Sequence, residues 1–340
     1  MRKVSVEDAV GMVLCHDITR IVPGEFKGRA FKKGHIVTAG DIPVMLQMGK
    51  ENLYVWEKEE GFLHEDEAAR RIARAVAGPG ISLTAPEEGK IKLVSGLRGL
   101  LKINVSGLNE INDEDQVVVS SLHGNRVVEK DTVVAGTRVI PLVIDGKIIE
   151  RVEGHADRYD PVVEVKPLSA MQVGIVVTGS EVYKGRIEDK FSPVVAEKVT
   201  RLGCAVIGKI NVTDSIDRIS DAVKTMLRAG AELILITGGM SVDPDDLTPA
   251  GVSAAGGVIV SYGAPVMPGA MFMVAYVGET PVLGLPGCVM VAKNTVFDLI
   301  LPRILAGERI ARRDITVLGH GGLCAGCSPC RFPSCPFGKV

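Results

Sequence analysis

Aromatic residues are scarce in this chain: eight Phe, five Tyr and one Trp make up 4% of 340 residues. So few rings leave few platforms on which nucleic-acid bases could stack. An excess of either charge is also missing. Thirty-nine basic residues meet 41 acidic ones, for a formal net charge of -2, which argues against a broad basic surface for phosphate backbones. No apolar run approaches the ~20 residues of a membrane-crossing helix, and no secretory leader is evident. The expectation is a cytoplasmic protein with neither nucleic acid nor membrane as partner. The six histidines, at 16, 35, 64, 123, 155 and 320, are dispersed without metal-ligand spacing. No Ser-His-Asp arrangement, Walker loop or GxGxxG fingerprint occurs.

What the chain has is glycine and aliphatic residues. It holds 39 Gly and is 46% hydrophobic, and its length exceeds one ordinary core, so two or three domains are expected. From Met171 to Gly307 apolar strands alternate with helix-like stretches: strand Val173–Val177, helix Ser192–Leu202, strand CAVIGKINV, helix SIDRISDAVKTMLRAG, strand AELILI, strand TPVLGL and a long apolar helix Val289–Leu305. Such alternation predicts a mostly parallel, doubly wound, three-layer αβα sheet domain. Ligands bind at the strand C-terminal edge of such sheets.

The stretch TGGMSVDPDDLT, Thr237 to Thr248, falls at that edge. Gly238 and Gly239 permit a tight turn whose bare N–H groups can cradle an anion. Asp245, Asp246 and Thr248 follow. Carboxylates beside an anion site repel it unless a cation intervenes, so the pattern fits a phosphorylated ligand with Mg²⁺; a Gly-rich turn with an Asp helix cap is the plainer alternative. A second polar turn, Thr178-Gly179-Ser180-Glu181, follows the first strand.

These motifs resemble the molybdopterin-binding domain shared by molybdopterin adenylyltransferase and molybdopterin molybdenumtransferase. The signatures are TGSE at 178–181, GRIED at 185–189, Asp214, TGGMSVDPDDLTP at 237–249, Pro268-Gly269 and LPG at 285–287. VEDAVGMVLCHDIT and FKKGHIVTAGDIPVMLQMGKENLYV resemble the opening of the molybdenumtransferases. The resemblance implies a homodimer that binds molybdopterin, adenylylated molybdopterin or a nucleotide and works alongside other molybdenum-cofactor proteins. It implies ligand contacts at Thr178, Gly179, Ser180, Asp189, Asp214, Gly238, Gly239, Ser241, Thr248, Pro268, Gly269, Pro286 and Gly287. Asp245, Asp246 and Glu181 would hold Mg²⁺ and carry any catalysis. Two other readings stand beside molybdenumtransferase-like chemistry: a non-catalytic pterin carrier or redox regulator, and a nucleotide pyrophosphatase related to the competence-damage-inducible proteins, whose motif also pairs aspartates with Thr.

The departures from the family pattern are specific. Its two lysines around Pro-Gly are Met267 and Ala270 here, its Asn-Pro after LPG is Cys288-Val289, and its Asn after GRIED is Phe191. Each lysine lost removes a point charge suited to an anion. Against the resemblance, the C-terminal β-domain of the molybdenumtransferases is expected to be missing, with GGLCAGCSPCRFPSCPFGKV in its place.

That tail places Cys324, Cys327, Cys330 and Cys335 in a C-x2-C-x2-C-x4-C-P run, one residue longer than the bacterial ferredoxin spacing. An Fe–S cluster or a structural Zn²⁺ is expected there, against a redox dithiol or a disordered tail. Cys15, Cys204 and Cys288 lie in apolar contexts and read as buried thiols. The basic run Lys27, Arg29, Lys32, Lys33 reads as a solvated loop or an outlying phosphate contact. Helices are expected at Ile42–Met48 and His64–Gly78, short β-runs over 90–145 with a hairpin turn at His123–Asn125, and a polar connector over Glu150–Pro161. The expected organisation is an α+β region over 1–60, a β-rich middle domain over 61–170, the molybdopterin-binding α/β domain over 171–310 and the Cys-rich tail over 311–340.

Overall fold

The computed structural model describes residues 2–22, 26–55, 60–241, 243–244 and 246–339. The chain divides into two compact units. The first comprises residues 1–95, 103–122 and 131–164; the second comprises 96–102, 123–130 and 165–340.

The first unit pairs Arg2–Ser5 with Asn52–Val55 and Ile18–Val22 with Phe26–Phe31, both antiparallel. Its four-stranded antiparallel sheet runs Ile81–Leu83, Lys90–Ser95, Val133–Val139, Val117–Ser121. Helix Glu65–Val76 begins where its sequence says it should. The His64 side chain accepts from the Asp66 N–H, three acidic residues complement the helix N-terminus, and Ala68, Ala69, Ile72, Ala73 and Val76 form the buried face. It packs on helix Gly146–Arg158.

That second helix replaces most of the polar connector expected over Glu150–Pro161. Asp145 caps it, accepting from the Lys147 N–H, and Ile149, Val152 and Ala156 are buried at helical spacing; the charged residues between them hid that stripe. Helix Val105–Asn112, capped by Asn104, likewise interrupts the expected β-runs. His123–Asn125 is not a hairpin turn. The strand before it pairs with Val133–Val139, and Arg126–Val128 pairs with Gly99–Ile103 in another sheet.

The second unit is built on six strands: β1 (Gln172–Thr178), β2 (Ala205–Val212), β3 (Leu233–Thr237), β4 (Val258–Tyr262), β5 (Met273–Val277) and β6 (Thr280–Leu285). Their order is β2-β1-β3-β6-β5-β4. β2, β1, β3 and β6 are parallel; β5 and β4 extend the sheet antiparallel. The unbroken aliphatic runs of β1 and β3 belong to strands covered on both faces. Helices α1 (Phe191–Arg201) and α4 (Val296–Leu305) cover one face, where Val195, Val199, Phe297 and Ile300 meet Ile175, Leu235 and Leu283. Helices α2 (Ile216–Arg228) and α3 (Thr248–Ala254) cover the other, where Ile219, Val223, Met226 and Val252 meet Val176, Ile234 and Ile236. Each fully buried aliphatic side chain contributes about 1.5–3 kcal/mol. The result is the three-layer α/β domain expected from the alternation.

One expected helix is shorter. Residues Gly287–Met290 form a 3-10 turn, and α4 starts only at Val296. Thr295 and Asp298 make a capping box there: Thr295 Oγ1 accepts from the Phe297 N–H, and Asp298 accepts from the Thr295 N–H at 2.7 Å.

Candidate ligand site at the strand ends

The register places the polar turns side by side. Thr178 pairs opposite Val212, Val177 opposite Thr237, and Thr237 opposite Leu285. The segments leaving β1, β2, β3 and β6 therefore emerge along one edge. The chain crosses from one side of β1 to the other between β2 and β3, so the β1/β3 boundary is the topological switch point of the sheet.

At that edge lies a cavity of about 380 Å³, lined by Phe191, Gly238–Ser241, Asp246, Ala270, Met271 and Leu285–Cys288. The glycine pair is required there. Gly238 and Gly239 hold φ +87° and +58°, and a Cβ on Gly238 would run into the Thr178 carbonyl oxygen. Thr248 clamps the turn: its Oγ1 donates to Gly238 O at 3.0 Å and its N–H to Gly239 O at 3.3 Å. Tyr262, from edge strand β4, donates to both Met240 O and Ser241 O. Burial, and then the nearby Asp246 charge, push its phenol up, so it remains a donor. A Cβ at Gly287 would meet nothing within 4 Å; this position faces open space.

Of the residues expected to contact ligand, Gly238, Gly239, Ser241, Pro286 and Gly287 line this cavity, together with Asp246 from the expected Mg²⁺ set. The others do not. Thr178 and Thr248 are buried and brace the turn. Asp214 accepts from the Ser180 N–H at 2.9 Å and ties the β1 and β2 turns together. Asp189 caps α1, accepting from Phe191 N, Ser192 N and Ser192 Oγ, and pairs with Lys209 at 3.0 Å. Burial raises this carboxyl, but those bonds outweigh burial and hold it below the usual range. Gly179 and Glu181 belong to the turn after β1, away from the cavity lining. Pro268 and Gly269 face elsewhere: Pro268 lines the tail cavity, and a Cβ on Gly269 would press on Val296. Asp245 lies outside the described residues.

The lining holds no Lys or Arg among the described residues, as the Met267 and Ala270 substitutions imply. In the first unit, Arg29 pairs with Asp17 at 2.9 Å and Lys33 with Asp66 at 2.8 Å, which commits half of the basic run to neighbouring carboxylates. Sequence reasoning missed Phe191, Met240, Met271 and Cys288 as lining residues. Phe191 and Cys288 were both visible as departures from the family pattern, and that was the available signal. The Cys288 thiol is pushed up by burial, so it is not a ready nucleophile.

The tail packs onto this unit. Met267 N–H donates to Gly322 O and Cys324 N–H to Met267 O, both at 2.8 Å, and Gly338 N–H donates to Gly321 O. Phe337 is buried in the α4-side core, with Phe332 packed edge-on against its ring. Cys324, Cys327, Cys330 and Cys335 all line one cavity of about 300 Å³, with Pro268, Ala292–Asn294, Leu323, Phe332 and Phe337. None is in a disulfide. Among the described residues no three His, Cys, Asp or Glu side chains are grouped closely enough to hold a single metal ion. Among the described members of the expected Mg²⁺ set, Asp246 lines the ligand cavity and Glu181 does not, and the four tail cysteines share a cavity without forming a single-ion cage. Among the described residues, no helix is long and apolar enough to cross a membrane.

Residues 174–306 match the family model described as a probable molybdopterin binding domain, and residues 3–57 match a domain of unknown function (DUF8806). The chain is similar to the molybdopterin molybdenumtransferase of Synechococcus elongatus, 26% identical over 153 residues, covering 42% of this chain and 38% of that protein. It is also similar to a CinA-like protein of Mycobacterium sp. (strain MCS), 37% identical over 86 residues, covering 24% of this chain and 20% of that one. The chain thus spans well under half the length of these relatives. Among solved structures, the molybdopterin biosynthesis enzyme MoaB from Thermus thermophilus aligns at 20% identity and TM-score 0.34, over 41% of this chain and 98% of that one. CinA from Thermoplasma acidophilum aligns at 20% and 0.31, over 35% and 89%. Residues 174–306 of this chain are a domain of the molybdopterin-binding family.

Proposed function

We propose that this chain binds molybdopterin, or its adenylylated form, in the cavity at the β3 and β6 ends, and serves molybdenum cofactor biosynthesis. The observation that carries the reading is the pair of left-handed glycines, Gly238 and Gly239, at the switch point, lining one cavity with Asp246 in a domain of this family. Their turn would receive the phosphate. Phe191 would stack on a flat heterocycle, and Met240, Met271 and Leu285 would shield it.

Mg²⁺ fits this cavity only as part of a ligand complex. Asp246 is the single described carboxylate in the lining, and Mg²⁺ is commonly held by one or two carboxylates plus substrate phosphates. When bound, it would neutralise phosphate charge beside Asp246. The residues themselves orient the ligand: the glycine turn holds the anion, the Tyr262 hydrogen bonds fix the Met240–Ser241 backbone, and the apolar wall excludes water. The tail thiolates would carry a further metal, as Fe–S or Zn²⁺. The lack of Lys or Arg among the described lining residues favours a carrier role over molybdate insertion by the isolated chain. The adjacent aspartates and Thr that resemble the motif of the competence-damage-inducible proteins keep a nucleotide as the competing ligand.

Anaerobic calorimetry on the full chain tests the reading, with molybdopterin, adenylylated molybdopterin and ADP-ribose titrated with and without Mg²⁺. Tightest binding of either pterin supports it. Binding of ADP-ribose alone would transfer the site to the nucleotide reading.

A further inference from the structure

We infer that the tail and the Ala292–Asn294 loop together form a site for a [4Fe–4S] cluster, with Asn294 as a hydrogen-bond donor to one of its cysteine ligands. The inference rests on the reading of the tail as a metal site and decides which metal it takes.

Three observations carry it. First, all four cysteines line one cavity of about 300 Å³. A single zinc with Zn–S bonds of about 2.3 Å would require the four sulfurs to close to within about 4 Å of one another and leave no such space. A polynuclear cluster fills the space and keeps its thiolates apart. Second, the thiols stand on a fixed frame. The tail is tied to Met267 by two backbone hydrogen bonds and anchored by Phe337 in the core, so the opening is a property of a docked segment. Cys327 and Cys330 are exposed while Cys324 and Cys335 are half-buried, which gives an incoming cluster a solvent-facing entrance. Third, the site already contains the outer contacts that a thiolate ligand uses. Asn294 Nδ2 donates to Cys330 Sγ at 3.2 Å, and Lys293 lines the same cavity. An N–H directed at sulfur stabilises the more reduced, more negative cluster and so raises its potential.

The binding step is ligand exchange. A preassembled cluster bearing four small thiolates gives up each one as a cysteine sulfur forms a bond to its iron, and each cysteine proton leaves on the departing thiol. No oxidant or reductant is consumed.

The test uses the full chain purified anaerobically and then exposed to a preassembled [4Fe–4S] cluster with exchangeable thiolate ligands. About four iron and four sulfide per chain are expected, with broad absorption near ~400 nm. Cys330→Ser and Cys335→Ser should lose most of that iron while keeping the far-ultraviolet circular dichroism of the parent. Asn294→Ala should retain iron but move the reduction potential to more negative values; an unchanged potential would remove Asn294 from the site. One zinc per chain with no iron uptake would overturn the cluster while leaving the tail a metal site. Four freely alkylated thiols with no metal and no uptake would overturn both.

Discussion

Replacing Asp246 by Asn separates two tasks that one carboxylate performs. Its Oδ2 accepts from the Asp243 N–H at 3.0 Å, while Asp246 N–H donates back to Asp243 O at 2.9 Å; together these close the turn that lines the ligand cavity. Asn retains an acceptor in the same place, so the turn survives and only the charge is lost. With Mg²⁺ present, a phosphorylated pterin should then lose a charge-assisted contact of about 1.5–3 kcal/mol, or roughly ten- to hundredfold in affinity. Without Mg²⁺ the sign reverses: the carboxylate repels phosphate, so the variant should bind as well as or better than the parent. Asp246→Ala also removes the hydrogen bond to Asp243, worth about 0.5–1.5 kcal/mol, and should show a further loss together with a lower unfolding midpoint. Calorimetry of parent and both variants, each with Mg²⁺ and with chelator, reads all of this. Equal affinities for parent and Asp246→Asn under both conditions would refute the reasoning and place the anion elsewhere.

Three more outcomes follow from the same geometry. Phe191→Ala should weaken ligand binding by about 1–3 kcal/mol, the range for an aromatic–base stack, while Phe191→Tyr binds like the parent; equal calorimetric affinities for all three would show that the ring does not touch ligand. Ala270→Lys restores a cation to the cavity wall and should tighten phosphorylated-ligand binding by about tenfold, read in the same titrations, whereas unchanged affinity would mean that Ala270 lies beyond reach of the anion. Glu65 is pushed up to about 6 from 4.5, by burial first and Asp66 second. Between those values the folded chain keeps a proton that the unfolded chain releases, so stability falls as pH rises through the window and the penalty is complete above about 6. Glu65→Gln should therefore gain about 1 kcal/mol at neutral pH, discounted for solvent screening, and nothing near pH ~4, as read by denaturant unfolding; an equal gain at both would contradict the shift.

Strands such as VGIVVT and LILIT were legible because unbroken aliphatic runs ending at Gly can hardly be anything but covered parallel strands followed by turns. The glycine pair was legible for the same local reason: both positions need a backbone that only Gly adopts freely. Helix Gly146–Arg158 was not, because its buried stripe of Ile149, Val152 and Ala156 is diluted by six charged residues from Lys147 to Arg158. Motif residues divided by role in a way no spacing reveals. Asp189 and Thr248 carry the family pattern, yet here they cap α1 and clamp the glycine turn, while Phe191, at a position where the pattern breaks, lines the cavity. The docking of the tail depends on pairing between Met267 and Leu323, a contact between distant parts of the chain that leaves no local trace.

The central claim is that the cavity beside Gly238 and Gly239 holds a pterin. Its most direct test is mass spectrometry of whatever small molecule remains on the full chain after anaerobic expression and purification, paired with the Gly239→Val variant. That variant forces a branched side chain into a left-handed position facing Thr248 and should disable the site. A molybdopterin-derived pterin, with or without an adenylyl group, is expected on the parent and little on the variant. A dinucleotide on the parent, or a pterin retained equally by both proteins, would contradict it.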